Sequence, residues 1–369
     1  MQSEDSLFKT YNLIRGVFGA HKTKPRGFVV RAYPTPAELI IGDLAQRARD
    51  ANVKPVAARG FWIDKEGHDT PIGAPLTKDE KVVLFFHSGE FSGSTPTPSP
   101  SQEQLRHLTC VPRAILAQIP TARRALAVEY RLCELTPVYR DPFPAALLDA
   151  LAAYAHLLSA TGVSPQNVVL VGEAAGGHLA LALARYLATH GDGLARTAGW
   201  HSPPPPASPQ APLSPEPRWA HAMVLLSPWC DLGTSHDTPG AGALAQTYGF
   251  LEDLDPRPGA YVAVRRAYGD PLAFAAVDTD AYLSPASLYG EASFAGFPRT
   301  FVAVGRGDRL VSACRTLGEK MGRDLGPRVV LHESSHGREP RDRTPASPRS
   351  ESVDTGTLEM IRAWLAQNS

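Results

Sequence analysis

Twenty consecutive residues, Val168 to Leu187, constrain this chain more than anything else in it. They read VVLVGEAAGGHLALALARYL. A short apolar run enters the turn Gly172-Glu173-Ala174-Ala175-Gly176, and a helical pattern follows at once. A chain passes that sharply from strand to helix only where side chains stay small, because strand, turn and helix backbones approach closely there. The N-terminus of the following helix brings unpaired N–H groups to the turn and favours negative charge beside it. A strand–glycine–helix turn alone is weak evidence, since phosphate-binding loops share it.

The rest of the chain gives that turn a setting. Val82-Val83-Leu84-Phe85-Phe86 is a continuous apolar run ending at His87. Further strand-like runs follow at Ala125 to Val128, Val168 to Val171, Ala222 to Leu226, Thr300 to Val304 and Arg328 to Leu331. Between and after them lie helical patterns at Pro144 to Ser159, Gly177 to Thr189, Ser312 to Arg323 and Thr357 to Gln367. Apolar strands alternating with helices predict an α/β fold, a mostly parallel central sheet covered on both faces. Ligands of such sheets bind beyond the carboxyl ends of the strands. Ahead of this region, helices are expected at Asp5 to Ala20 and Thr35 to Ala51, the second capped at Thr35 before Pro36, and a strand region at Val53 to Asp64.

Composition narrows the function classes. The 37 basic and 37 acidic side chains cancel, which argues against nucleic acid or an anionic membrane as partner. No stretch approaches the length of an apolar membrane span, and the N-terminus has no secretory apolar region, so a cytoplasmic protein without a membrane anchor is expected. Cys110, Cys133, Cys230 and Cys314 lie far apart and the twelve histidines show no zinc spacing; the expectation is reduced, mostly buried thiols and no metal site. The 34 prolines are an excess with an address. Fourteen fall in three segments, 95–100, 202–218 and 337–355, which read as surface insertions on a core of 51–369.

The residues then resemble one family closely. The hormone-sensitive-lipase family of α/β-hydrolases, fold-3, carries H-G-G-G after an early strand, a Y-R-L-A-P-E-x-P-F-P-A-A segment, the nucleophile elbow G-[DE]-S-A-G-G and S-P-W-x-D-L. This chain offers His87-Ser88-Gly89-Glu90-Phe91, then Tyr130-Arg131-Leu132 with Pro142-Phe143-Pro144-Ala145-Ala146. Gly172-Glu173-Ala174-Ala175-Gly176-Gly177 and Ser227-Pro228-Trp229-Cys230-Asp231-Leu232 follow in the same order. The resemblance implies an α/β-hydrolase fold with a helical cap, made of residues 1–50 and an insertion at about 234–268. It implies hydrolysis of a small-molecule carboxylic ester through an acyl-serine at position 174, without a cofactor; a homodimer is compatible with it. Asp308, in Gly305-Arg306-Gly307-Asp308, and His336 take the places of the triad acid and base. His332 is the weaker rival. Backbone N–H groups of Ser88, Gly89 and Ala175 take the place of the oxyanion hole, with Glu90, Phe91, Glu173 and Trp229 around the substrate. Asp231 and His178 read as structural.

Three departures shape the function expected. Ala174 stands where the nucleophilic serine belongs, and a methyl group cannot attack a carbonyl, so the chain as written should form no acyl-enzyme. The intact surroundings, with acid and base retained, favour a deliberate Ser→Ala replacement over natural loss. Ser88 and Glu90 replace two motif glycines; a carboxylate at 90 would oppose a developing oxyanion unless it points away, carries a proton or binds a cationic substrate group. Extra residues after Leu132 and after His336 alter loops near the site. Two alternatives follow: a natural pseudo-hydrolase binding a small molecule, as plant gibberellin receptors of this family do, or an acid/base enzyme using His336 and Asp308 alone.

Overall fold

A computed structural model describes residues 29–31, 34–71, 74–77, 79–88, 102–133, 140–200, 219–236, 265, 267–269, 274–308, 310–335 and 353–367. Among them eight strands form one sheet. They are β1 (Val29–Arg31), β2 (Arg59–Asp64), β3 (Lys81–Phe86), β4 (Ala122–Glu129), β5 (Val168–Glu173), β6 (Ala222–Leu226), β7 (Arg299–Gly305) and β8 (Val329–Ser334). The spatial order is β1-β2-β4-β3-β5-β6-β7-β8. β1 and β2 pair antiparallel, as do β2 and β4; every other pairing is parallel. The α/β-hydrolase fold expected from the motifs is therefore the fold found.

Alternation along the strands sends side chains to two cores. Val82, Leu84 and Phe86 of β3 face one side, under α1 (Gly42–Asp50), α3 (Ala145–Thr161), α4 (Ala175–Ala198) and α5 (Val311–Leu325). Val83 and Phe85 face the other, under α2 (Gln102–Gln118) and α6 (Thr355–Ala366), with Val171, Val224 and Phe301 beside them. Burial on both faces is complete at the centre: all five apolar residues of β3 are fully buried. That burial explains why the strands read as unbroken apolar runs.

Several boundaries differ from the pattern-based ones. The helix expected over Thr35 to Ala51 is broken into a 3-10 turn at Ala37–Leu39 and α1. Thr35 does not cap; its hydroxyl donates to Leu148 O at 2.7 Å. Tyr186 on α4 takes the backbone groups that a continuous helix would use, donating to Leu39 O and accepting from Ile41 N. Gly42 then adopts φ +57, where a Cβ would meet the His190 ring at 2.5 Å. The strand expected from Val53 begins only at Arg59. Three elements escape the apolar pattern: the three-residue β1, the four-residue helix Phe274–Val277, and α2, whose interior Pro112 breaks the helical signal. α4 starts at Ala175 and runs to Ala198, longer at both ends than expected.

The helix expected at Asp5 to Ala20, the segments 95–100 and 202–218, and most of 234–268 lie outside the described residues. Cys133, Cys230 and Cys314 are buried free thiols, and Cys110 is half-buried. No helix among the described residues is long and apolar enough to cross a membrane.

Candidate active site

The parallel strands β5, β6, β7 and β8 run side by side, so their carboxyl ends share one edge of the sheet. At that edge β5 ends on half-buried Glu173, and Ala174 makes the turn into α4 with φ 47 and ψ −111. A non-glycine residue reaches this region only under strain, of order 1–3 kcal/mol. Ala174 is held there at both ends: its N–H donates to Leu226 O at 3.0 Å, and its carbonyl accepts Trp229 N–H at 2.9 Å.

The glycines around it are required by contact. A Cβ on Gly172 would lie 2.2 Å from Gly176 O, and one on Gly176 would lie 2.0 Å from Phe86 O and 2.5 Å from His87 O. Strand, turn and the end of β3 thus meet backbone to backbone. Ala175, the first helical residue, is fully buried, and its N–H belongs to the group that an α-helix leaves without internal partners.

Behind the turn, β3 leads into His87 and Ser88, both half-buried. The His87 ring stacks on Tyr130 with centroids 4.5 Å apart, and Tyr130 Oη donates to His87 O at 2.6 Å. His87 Nδ1 bonds to Ser88 O, and burial holds the imidazole below its ordinary range. Gly89, Glu90 and Phe91 lie outside the described residues. Arg131, next to Tyr130, ties the entry of α3 together, donating to both oxygens of Asp149, to Asp141 and to Ala145 O.

Asp308 follows β7 in the turn that leads to α5. Its carboxylate accepts Leu310 N–H at 2.9 Å, and its carbonyl accepts Val311 N–H at 3.1 Å. Arg306 N–H donates to Ser334 O at the end of β8, so the Asp308 turn is joined to the strand that leads to position 336. His336 itself lies outside the described residues. The rival, His332, sits within β8 with its ring 5.9 Å from Phe301, in the core layer that faces α6.

Trp229 is 2% exposed, so its ring packs in the core while its backbone supports the elbow. His178, one turn into α4, is fully buried; Nδ1 lies 3.2 Å from Trp229 O, and burial pushes its pKa down to about 3. Asp231 accepts hydrogen bonds from Gly233 N, Ser235 Oγ and His236 Nδ1, a structural role. The pattern reading missed His236, its partner Thr316, and Ser227, which holds φ 43 at the end of β6. Ser227 lies in a recognisable motif; nothing local marked the other two. Among the described residues no three His, Cys, Asp or Glu side chains gather as a metal site. The arrangement supplies a strained turn, a helix N-terminus and a carboxylate at one sheet edge, the setting of acyl transfer.

Comparison with known proteins agrees with that architecture. A family model for the alpha/beta hydrolase fold matches residues 83–337. An acetyl-hydrolase from Streptomyces hygroscopicus is 32% identical over 196 residues, a match covering 50% of this chain and 51% of that protein. The chain thus spans about half the length of this curated relative. Among solved structures, a bacterial heroin esterase aligns with TM-score 0.58 at 17% identity, covering 96% of this chain and 89% of the other. An esterase of the bacterial hormone-sensitive lipase family aligns with TM-score 0.50 at 20% identity, covering 99% and 98%.

Proposed function

The chain belongs to the α/β-hydrolase family, and from that premise we propose that it is a carboxylic ester hydrolase of the hormone-sensitive-lipase type whose nucleophile position is occupied by Ala174. The observation that carries this reading is the backbone at 174, held at φ 47 with both its N–H and its carbonyl bonded. Alanine gains nothing from that conformation. A serine there would present its hydroxyl at the sheet edge, ahead of a helix N-terminus, which is the purpose of a nucleophile elbow.

In the parent reaction the serine oxygen attacks the ester carbonyl carbon, and His336 takes the hydroxyl proton. Asp308 orients that ring and stabilises the imidazolium. The N–H of Ala175 and those of the Ser88-Gly89 segment hold the tetrahedral oxyanion. His336 returns the proton to the leaving alcohol, and water then repeats the sequence on the acyl-enzyme. The substrate is a small uncharged ester, in keeping with the absence of net charge, and the protein acts in the cytoplasm.

Ala174 is read as the replacement of a serine, because the frame that a nucleophile needs is intact around it. A second reading, a small-molecule binder without catalysis, is favoured by Ala174 itself and by the carboxylate of Glu90 in the oxyanion motif. A fluorophosphonate probe separates them. Ala174→Ser protein should gain one adduct on the residue at 174, and the chain as given should gain none. A folded Ala174→Ser protein that stays unlabelled leaves the binder.

A further inference from the structure

Next to the elbow, three side chains stand in the order acid, base, hydroxyl. Asp231 is 5% exposed, and its Oδ2 lies 2.6 Å from His236 Nδ1 and 2.6 Å from Ser235 Oγ. The second ring nitrogen, His236 Nε2, lies 3.0 Å from Thr316 Oγ1 on α5. Thr316 Oγ1 also lies 3.2 Å from Ser312 O, one turn earlier on the same helix. A hydroxyl has one proton and two lone pairs, so Thr316 can donate to Ser312 O while accepting from His236, or turn its proton onto the ring. The bridge holds in both arrangements, with the ring donating from both nitrogens in the first and from Nδ1 alone in the second.

What the bridge joins gives it meaning. The loop 227–236 carries Trp229, whose N–H holds Ala174 O and whose carbonyl meets His178 Nδ1. Pro228 O lies 3.7 Å from Cys314 Sγ, a second and weaker link to α5. α5 in turn starts from the Asp308 turn, through Leu310 N–H on the carboxylate and Val311 N–H on the carbonyl. Other charged groups near the bridge are already engaged: Lys320 Nζ donates to Ser287 O and Gly290 O, and Asp278 accepts from Thr234. The 231–236 loop therefore reaches α5 through His236 along a continuous line from elbow to acid position.

We propose that His236 is a positioning residue: by bridging Asp231 and Thr316 it locks the loop under the elbow to α5 and so sets the spacing between position 174 and Asp308. The catalytic consequence rests on the ester-hydrolase reading, whereas the lock itself does not. A misplacement of about 1 Å costs on the order of 100-fold in rate, so a bridge between the two halves of a triad matters even without touching substrate.

The test uses His236→Phe, Thr316→Val and Thr316→Ser, each made in the chain as given and in the Ala174→Ser protein. In the chain as given, hydrogen exchange is read by segment. His236→Phe and Thr316→Val should raise exchange across 227–236 and 306–312 together, by about tenfold, and leave β3 unchanged. Thr316→Ser keeps the hydroxyl and should restore protection. Unchanged exchange at 306–312 in both disrupting variants would overturn the lock, whatever the enzyme assay gives. In the Ala174→Ser background the same two variants should lower kcat on p-nitrophenyl butyrate by about tenfold or more, with KM within about threefold, and Thr316→Ser should recover most of the loss. An unaltered kcat in an active Ala174→Ser protein would overturn the positioning role. An Ala174→Ser protein without activity would instead count against the ester-hydrolase reading, with the lock decided by exchange.

Discussion

The methyl group of Ala174 sits on a backbone that L-residues rarely adopt, and its neighbours pay for that geometry with their own size. Glycine tolerates φ 47 without strain but is more flexible when unfolded, so the two effects partly cancel. Ala174→Gly should accordingly be neutral or stabilising, by up to about 1 kcal/mol, in urea unfolding. A loss above about 1 kcal/mol would mean that the elbow is not strained. Gly176→Ala is the opposite case. Its new Cβ would sit 2.0 Å from Phe86 O, a backbone atom that cannot turn aside. Overpacking of this kind costs about 1–3 kcal/mol and sometimes more, and the same unfolding experiment should place this variant at or beyond the upper end. These residue-scale features were legible in the sequence, because small residues between an apolar run and a helical pattern mark a close backbone approach. The alanine at 174 was legible too, since its identity needs no coordinates.

Helix α4 shows how an element carries a site and a pH dependence at once. His178 is buried and neutral on its first full turn, its pKa pushed from 6.5 down to about 3 by burial, which the Trp229 carbonyl only partly offsets. The folded state therefore binds its proton later than the unfolded chain does. Its contribution to stability is full above pH 6.5 and is lost as pH falls toward 3, at up to about 1.4 kcal/mol per pH unit. His178→Gln should remove about 2 kcal/mol of the stability lost between pH 7 and pH 5, measured by urea unfolding at both values. Equal losses in both proteins would contradict a buried neutral ring. The helices and strands of the core were readable from apolar periodicity, because burial on both faces writes itself into each run. Pro112 hid α2 locally, and other features that escaped were set by partners distant in sequence. Tyr186 takes the backbone groups of Leu39 and Ile41 where the Thr35 helix breaks, and the His190 ring fills the space a side chain at Gly42 would need. His236 finds Thr316 eighty positions away, and no local pattern encodes that meeting.

For the molecule as a whole, sheet order converts dispersed motifs into one edge. Glu173, Leu226, Gly305 and Ser334 end four adjacent parallel strands, and the turns beyond them hold Ala174, Ser227, Asp308 and the approach to position 336. Motif order along the chain announced this convergence, since in a parallel sheet the turns beyond the carboxyl ends of neighbouring strands share one edge. The surroundings of that edge were not legible, because the sequence after Leu132, after His336 and over 234–268 has no repeated pattern from which to read them. We propose, centrally, that this frame is a hydrolase lacking a single oxygen atom. The direct measurement is steady-state turnover of p-nitrophenyl butyrate by Ala174→Ser protein beside the chain as given, with circular dichroism to compare their folds. Restoring a triad nucleophile should raise kcat by a factor on the order of 10³ or more. Equal turnover by two equally folded proteins would contradict the account.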